Sequence, residues 1–274
     1  MRIGFEFGSN WKRFATYQLT TARVEDACST FQKLTDGIDL ESASVLDVGF
    51  GQGLSALCAA RLGAHVVCVD LDSECAEALE LTSRFFAPEV RQRLKVEIGS
   101  ILSDSTLRIL ERNRPGGYDV VHSWGVLHHT GQLEQAFTNC ASLVRPGGFL
   151  IVAIYNHHWS SRAWVYIKRM YCRLPSLGQR MLVAMFVPVI FFAKLLVTRK
   201  NPLRKERGMD FIVDIVDWVG GYPYEYASIK EICECGAARG LYPIRVNPAE
   251  VPTGCNEFVF VKSDDLVVKV IGKK

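Results

Sequence analysis

The sequence has no uninterrupted apolar stretch of bilayer length. Its thirteen-residue uncharged run, Met181 to Ala193, carries Pro188 near its middle, whereas a helical span needs ~20 apolar residues and proline kinks a helix. A membrane crossing is therefore not expected. An internal repeat and a low-complexity tract are also absent, as is a basic-then-apolar leader after Met1, which speaks against fibrous folds and for the cytoplasm. Cysteine occurs nine times, an odd number scattered through apolar segments, so reduced thiols are expected and not a disulfide framework. No metal is expected. His157 and His158 are adjacent and point apart, and Cys233-Glu234-Cys235 lacks a second pair at ligand spacing.

What is present is a globular composition, 274 residues with 49% hydrophobic and 22% charged, enough for one large α/β domain or two small ones, with a sizeable core. The net charge of +3 hides an asymmetry: between Lys168 and Arg207 stand ten Lys or Arg against the single acid Glu206. That block carries +9 and leaves −6 for the rest, which points to a local partner.

Apolar β-like runs at Val45 to Val48, His65 to Val69, Leu94 to Ile98, Tyr118 to Ser123 and Phe149 to Tyr155 alternate with helical stretches. Short apolar runs separated by helices imply a parallel sheet covered on both faces. Leu54 to Leu62 reads as a helix closed by Gly63, and Arg145-Pro146-Gly147-Gly148 as a turn before a strand that begins at Phe149. After Tyr155 about fifty residues pass without a strand, and the end of the chain supplies a helix (Ala227 to Arg239) and an antiparallel pair (Tyr242 to Val246, Glu257 to Val261). The expected fold is a doubly wound, mostly parallel seven-stranded sheet in one domain over 1–274. Residues 1–40 form a helical cap, and 160–213 an inserted lid or interfacial segment between strands 5 and 6.

The chemistry concentrates at Asp47-Val48-Gly49-Phe50-Gly51-Gln52-Gly53. Three alternate glycines between a strand and a helix lie at the carboxyl end of a parallel sheet, where a ligand can approach the bare backbone. A nicotinamide or flavin fingerprint needs glycine at 54, but that residue is Leu. Twenty-one residues after Gly49, Asp70 ends the second run and can accept both ribose hydroxyls of a nucleoside.

On these residues the chain resembles the class I S-adenosylmethionine-dependent methyltransferases over roughly 45–155, in the small-molecule branch that includes quinone-biosynthesis enzymes. The landmarks are Asp47-x-Gly49-x-Gly51-x-Gly53, Asp70, Gly99-Ser100-Ile101, the Ser123 to Thr130 stretch and the Arg145 to Gly148 turn. Family members often carry Asp where this chain has Ser100. The resemblance implies S-adenosylmethionine as cofactor, held by Asp47, Gly49, Phe50, Gly51, Gly53, Asp70, Leu71, Ser100, Ile101 and Trp124. It also implies in-line methyl transfer, in which alignment is the largest lever.

On the acceptor side, His128 and His129 follow the fourth strand and Tyr155 ends the fifth, so each is a candidate for assisting proton removal. Asn156, the aromatic turn with Tyr222, Tyr224 and Glu225, and Trp11 in the Phe-rich N-terminal segment are candidate substrate contacts. The apolar run flanked by Arg180, Arg199, Lys200, Arg204 and Lys205 fits a lid over an apolar substrate, a peripheral membrane contact or a plain hairpin. Nucleic acid is disfavoured because the run is aliphatic. The reading is methyl transfer to a small or lipid-like acceptor in the cytoplasm, with peripheral membrane contact as an option. The alternatives are a non-catalytic cofactor-fold protein docking a partner, or a methyltransferase acting on RNA or protein. Acceptor atom and oligomeric state stay open.

Overall fold

The computed structural model describes residues 7–199, 201 and 211–263; Phe5, Lys200, Arg204, Lys205 and Arg207 lie outside them. Two helices come first, α1 (Phe7–Tyr17) and α2 (Thr21–Leu34). The alternating part follows: β1 (Ser44–Val48), α3 (Leu54–Arg61), β2 (His65–Asp70), α4 (Glu74–Ser83), α5 (Pro88–Gln92), β3 (Leu94–Ile98), α6 (Asp104–Asn113), β4 (Tyr118–Trp124), α7 (Leu133–Leu143) and β5 (Val144–Tyr155). Next come α8 (Ser161–Tyr171), α9 (Ser176–Thr198), α10 (Phe211–Gly220) and α11 (Ile229–Ala237), and finally β6 (Leu241–Asn247) and β7 (Cys255–Lys262).

The seven strands form one sheet in the order β3-β2-β1-β4-β5-β7-β6. β1 to β5 are parallel, and β7 runs antiparallel to both β5 and β6. Every residue of β1 is buried, as a strand covered on both faces requires. One layer of core places Phe14, Phe31, Leu57 and Leu79 on one side of the sheet, and the other places Tyr118, Phe137, Phe258 and Phe260 opposite. The strand order reverses between β1 and β4, which opens the crevice of a doubly wound sheet at their carboxyl ends.

Several expectations are corrected. β5 starts at Val144, not Phe149: the Arg145 to Gly148 turn is absorbed into the strand as an irregularity opposite Tyr118 and Val120, with Gly147 at φ 73°. The C-terminal helix is shorter than 227–239, because Ser228 and Glu231 close a capping box at its start. Cys28 of α2 and Cys58 of α3 are joined as a disulfide, so the nine thiols are not all free. The apolar run is part of a 23-residue helix, α9, which keeps Pro188 inside it. Its stretch Ser176–Val197 is long and apolar enough by length and composition to cross a membrane, since the helix carries its apolar character past Arg180 and Lys194.

α8, α9 and α10 pack on one another around Tyr171, Ile190, Phe211, Ile215 and Val219. α9 gives Leu182, Val183, Phe186, Val187 and Phe191 to that cluster. Its other side leaves Leu177, Met181, Met185, Val189, Phe192 and Leu196 exposed, and their spacing of three and four residues makes them one continuous stripe.

Candidate active site

Gly49, Gly51 and Gly53 all adopt positive φ (72°, 55° and 75°), a conformation that costs glycine nothing. Side chains there would also collide: an added Cβ would fall 2.4 Å from Val126 at Gly49 and 2.6 Å from Leu79 at Gly53. Asp70 organises the loop. The Gly51 N–H donates to its Oδ2 (3.1 Å) and the Asp72 N–H to its Oδ1 (3.0 Å). Burial pushes the Asp70 carboxyl up, against the pull of those two N–H groups. A half-buried carboxylate with spare lone pairs suits further donors such as vicinal hydroxyls.

Beside it Leu71 is exposed and Ile101 is buried beneath the loop after β3. The Ser100 hydroxyl accepts the Leu102 N–H (3.1 Å) and shapes its own loop. Asp47 and Phe50 are buried. The register places Asp47 across from His122, and its Oδ1 lies 2.7 Å from His122 Nδ1, while Asp47 Oδ2 and His122 Nε2 find no partner among the described residues. Trp124 stacks on the His122 ring at 5.9 Å. Past it, a Cβ built on Gly125 meets nothing within 4 Å. Glycine loop, acid and open space above β4 together fit a nucleoside-bearing cofactor.

α1 lies across this end of the sheet. The Gly8 N–H donates to Asp72 Oδ2 (3.0 Å), and the Trp11 indole stands where a Cβ on Gly51 would come within 3.0 Å of its Nε1. Asn10 Nδ2 donates to Asp217 Oδ1 of α10 (2.6 Å), and the Phe7 ring lies 4.9 Å from His129. One helix thus touches the glycine loop, Asp72 just past β2, and His129 of the turn after β4.

There His128, His129 and Tyr155 meet: the Tyr155 ring is 3.9 Å from His128 and 5.5 Å from His129. Their hydrogen bonds assign opposite roles to the two imidazoles. Tyr155 N–H donates to His128 Nδ1 (3.2 Å), so in the neutral ring the proton sits on Nε2, a buried donor with no partner among the described residues. His129 Nδ1 faces the Pro223 carbonyl (2.7 Å), which only accepts; its proton is therefore on Nδ1 and Nε2 is left as an acceptor. Burial, then nearby positive charge, pushes both pKa values down, His129 to about 3, so both are neutral around pH 7. Burial also drives the Tyr155 phenol well up, keeping it protonated.

Other expected residues are placed differently. Asn156 donates to Pro252 O (3.1 Å) and accepts from Asn256 (3.0 Å), bracing the loop before β7. Glu225 accepts the Leu133 N–H (3.0 Å) at the start of α7, while its own N–H donates to His128 O (2.8 Å), so it positions the histidine turn from outside. Tyr222 precedes Pro223, whose carbonyl holds His129. Tyr224 is buried with its ring 5.1 Å from Tyr155. Asn10 and Asp217 lie in two segments that the sequence marks, the Phe-rich N-terminal stretch and the turn from Asp217 to Tyr226, but their bond to each other, like the placement of His122 and Lys168, arises only through contacts between distant segments.

Comparison with known proteins bears on this geometry. The profile of a family described as a methyltransferase domain matches residues 19–184, more than half of the chain. The ubiquinone biosynthesis O-methyltransferase of Xanthomonas euvesicatoria pv. vesicatoria (strain 85-10) is 33% identical over 119 residues, 43% of this chain and 46% of the relative. That of Cupriavidus pinatubonensis is 32% identical over 124 residues, 45% and 46%. The chain thus spans about half the length of the curated relatives it matches. Among solved structures, magnesium protoporphyrin IX methyltransferase from Synechocystis PCC 6803 with bound SAH has a TM-score of 0.54 at 15% identity, covering 93% of this chain and 94% of that one. An O-methyltransferase family protein from Burkholderia thailandensis gives 0.53 at 16%, covering 89% and 58%. These likenesses show the fold.

Proposed function

The chain belongs to this methyltransferase-domain family, and from that premise we propose that it transfers the methyl group of S-adenosylmethionine to a small or lipid-like acceptor. One observation carries the reading. The Asp70–Gly51 cradle and the His128–His129–Tyr155 cluster stand at the same end of the sheet, and α1 touches both through Gly8, Trp11 and Phe7. Asp70, the glycine backbone, Leu71 and the space above Gly125 would hold the nucleoside. The cofactor supplies a sulfonium methyl with a good leaving group already attached.

What this chain adds is alignment and exclusion of water. His129 Nε2, an acceptor in the neutral ring, would hydrogen-bond an acceptor hydroxyl and align its oxygen with the methyl group, while His128, fully buried, packs against Tyr155 and His129 and holds both rings in place. Tyr155 stays protonated and orients both imidazoles. The experiment is calorimetry with S-adenosylmethionine and its demethylated product, followed by mass spectrometry of phenol, carboxylate and amine acceptors with and without apolar tails. Micromolar cofactor binding and mass gain on an oxygen acceptor, lost in His129→Ala, are expected. Tighter binding of NADH would refute the cofactor, and binding without turnover would favour the non-catalytic alternative.

The exposed stripe of α9 supports a second element of this reading, a peripheral contact with an anionic membrane. Six large apolar side chains face outward over five turns, and the exposed cations Arg180 and Arg199 stand near the two ends of the stripe. Soluble monomers rarely expose such a patch, and this pairing of apolar face with cations suits the headgroup region.

A further inference from the structure

Lys168 is a lysine with no exposed surface at all. α8 carries its side chain inward, where Nζ donates to the Trp218 carbonyl. The ammonium lies 4.2 Å from the Trp218 ring centroid, 4.7 Å from Tyr224 and 5.6 Å from Tyr155. Among the described residues no carboxylate comes within ion-pair distance of it, and three aromatic faces stand where a buried cation usually has an anion. Tyr155 is the ring that joins this cage to the imidazoles. Its far side touches His128 at 3.9 Å, and Trp218 holds its edge at 5.1 Å.

We propose that Lys168 is a positioning residue of the acceptor end: its ammonium, caged by Tyr155, Trp218 and Tyr224 and bonded to the Trp218 carbonyl, fixes the Tyr155 ring against His128 and His129. The proposal rests on the methyl-transfer reading above for its catalytic consequence. Its geometry ties α8 and α10 to the end of β5 at one point, so a change in the cage moves the ring next to the reacting groups. Lys168 does not itself touch the acceptor.

The charges around the cage make the clamp sensitive to protons. α10 presents Asp217 and Asp214, with Arg13 of α1 acting on Asp217 in turn. Cys172 stands just past α8, Cys255 faces it from β7, and His128 and His129 face it from the turn after β4. Burial pushes the Lys168 amine down to about 7, the aspartates and the two thiols opposing. Burial likewise pushes the Asp217 carboxyl up to about 7, helped by Asp214 and opposed by the Asn10 hydrogen bond and the Lys168 charge. The ammonium form, and with it the cage, is complete below that pH and lost above it.

The test uses the full chain and two readouts. The first is tryptophan emission against pH, taken as the difference between the wild type and Trp218→Phe. The second is kcat and kcat/KM against pH with the acceptor found by the screen above. Wild type is expected to show an emission change and an alkaline fall in kcat/KM with one midpoint near neutrality. Lys168→Met should abolish the emission change and lower kcat roughly 100-fold, the cost of about an ångström of misplacement. Cofactor affinity should stay unchanged. Lys168→Arg keeps a cation at every working pH and should restore kcat while removing the alkaline fall. Wild-type kcat in Lys168→Met, or an alkaline fall that persists in Lys168→Arg, would overturn the proposal. If Lys168→Met does not fold, Lys168→Arg decides alone. Should the wild type methylate nothing, the preceding reading fails, and the emission change still tests the cage: its absence overturns the proposal.

Discussion

Asp70→Asn is the sharpest probe of the cofactor side, because it keeps the shape of the side chain and changes only charge and donor pattern. In the protein, Oδ2 accepts from Gly51 and Oδ1 from Asp72, each at about hydrogen-bond length. An asparagine has one acceptor oxygen, so its NH2 must face one of those backbone donors, and no full acceptor pair remains for two hydroxyls. Hydrogen bonds to a charged group contribute ~1.5–3 kcal/mol each. Losing one costs about 2 kcal/mol, a weakening of roughly 30-fold, and losing both approaches 10³-fold. Wild-type affinity should itself rise with pH through the raised pKa of Asp70, since burial keeps the free carboxyl protonated at higher pH than usual and hydroxyl donors favour its ionised form. Calorimetry across mildly acid to neutral pH reads both effects. A folded Asp70→Asn protein with affinity within twofold of wild type and the same pH dependence would refute the assignment of Asp70 to the ribose.

Two further outcomes follow from the fold. Vesicles containing phosphatidylglycerol should sediment the protein at low salt. Met185→Asp with Phe192→Asp should weaken this at least roughly 100-fold, since each such side chain contributes ~1.5–3 kcal/mol when buried; no binding to anionic vesicles, or binding indifferent to both changes, would refute the contact. At the other end of the sheet, burial opposes the ionisation of Asp119, yet the Ser44 hydroxyl and N–H and the Arg145 guanidinium outweigh it and hold the carboxyl at about 2. A depressed carboxyl adds stability that is full above its unfolded value of ~3.9 and is lost as pH falls through the folded one. Asp119→Asn should therefore cost about 2 kcal/mol in urea unfolding at neutral pH and progressively less below pH ~4; a loss independent of pH would refute the linkage.

The difference between what the sequence displayed and what it concealed follows from how far apart the interacting residues lie. The glycine loop, Asp70 and the alternating strands were legible because each is a local statement: positive φ demands glycine, a covered strand demands an apolar run, and the acid sits one β-α-β unit away. The length of α9 was misjudged for a local reason too. The uncharged run stops at Arg180 and Lys194, but charge does not end the helix: Arg180 lies on the exposed side near the start of the stripe, and Lys194 pairs with Asp214 of α10 at 3.0 Å. Asn10, Asp217 and Lys168 stayed hidden because their meaning is made by packing. The Asn10–Asp217 bond joins positions 207 residues apart, and a lysine in a basic block reads as surface charge until a helix turns it inward. The same holds for His122, whose partner Asp47 is set by strand register. Thus local rules reveal the cofactor side, which is built from backbone and one acid. In the proposed acceptor side the sequence already marks His128, His129 and Tyr155 by their places after β4 and at the end of β5, but their mutual geometry, and the contacts that α1, α8 and α10 add through Phe7, Lys168 and Trp218, appear only when those elements are brought together.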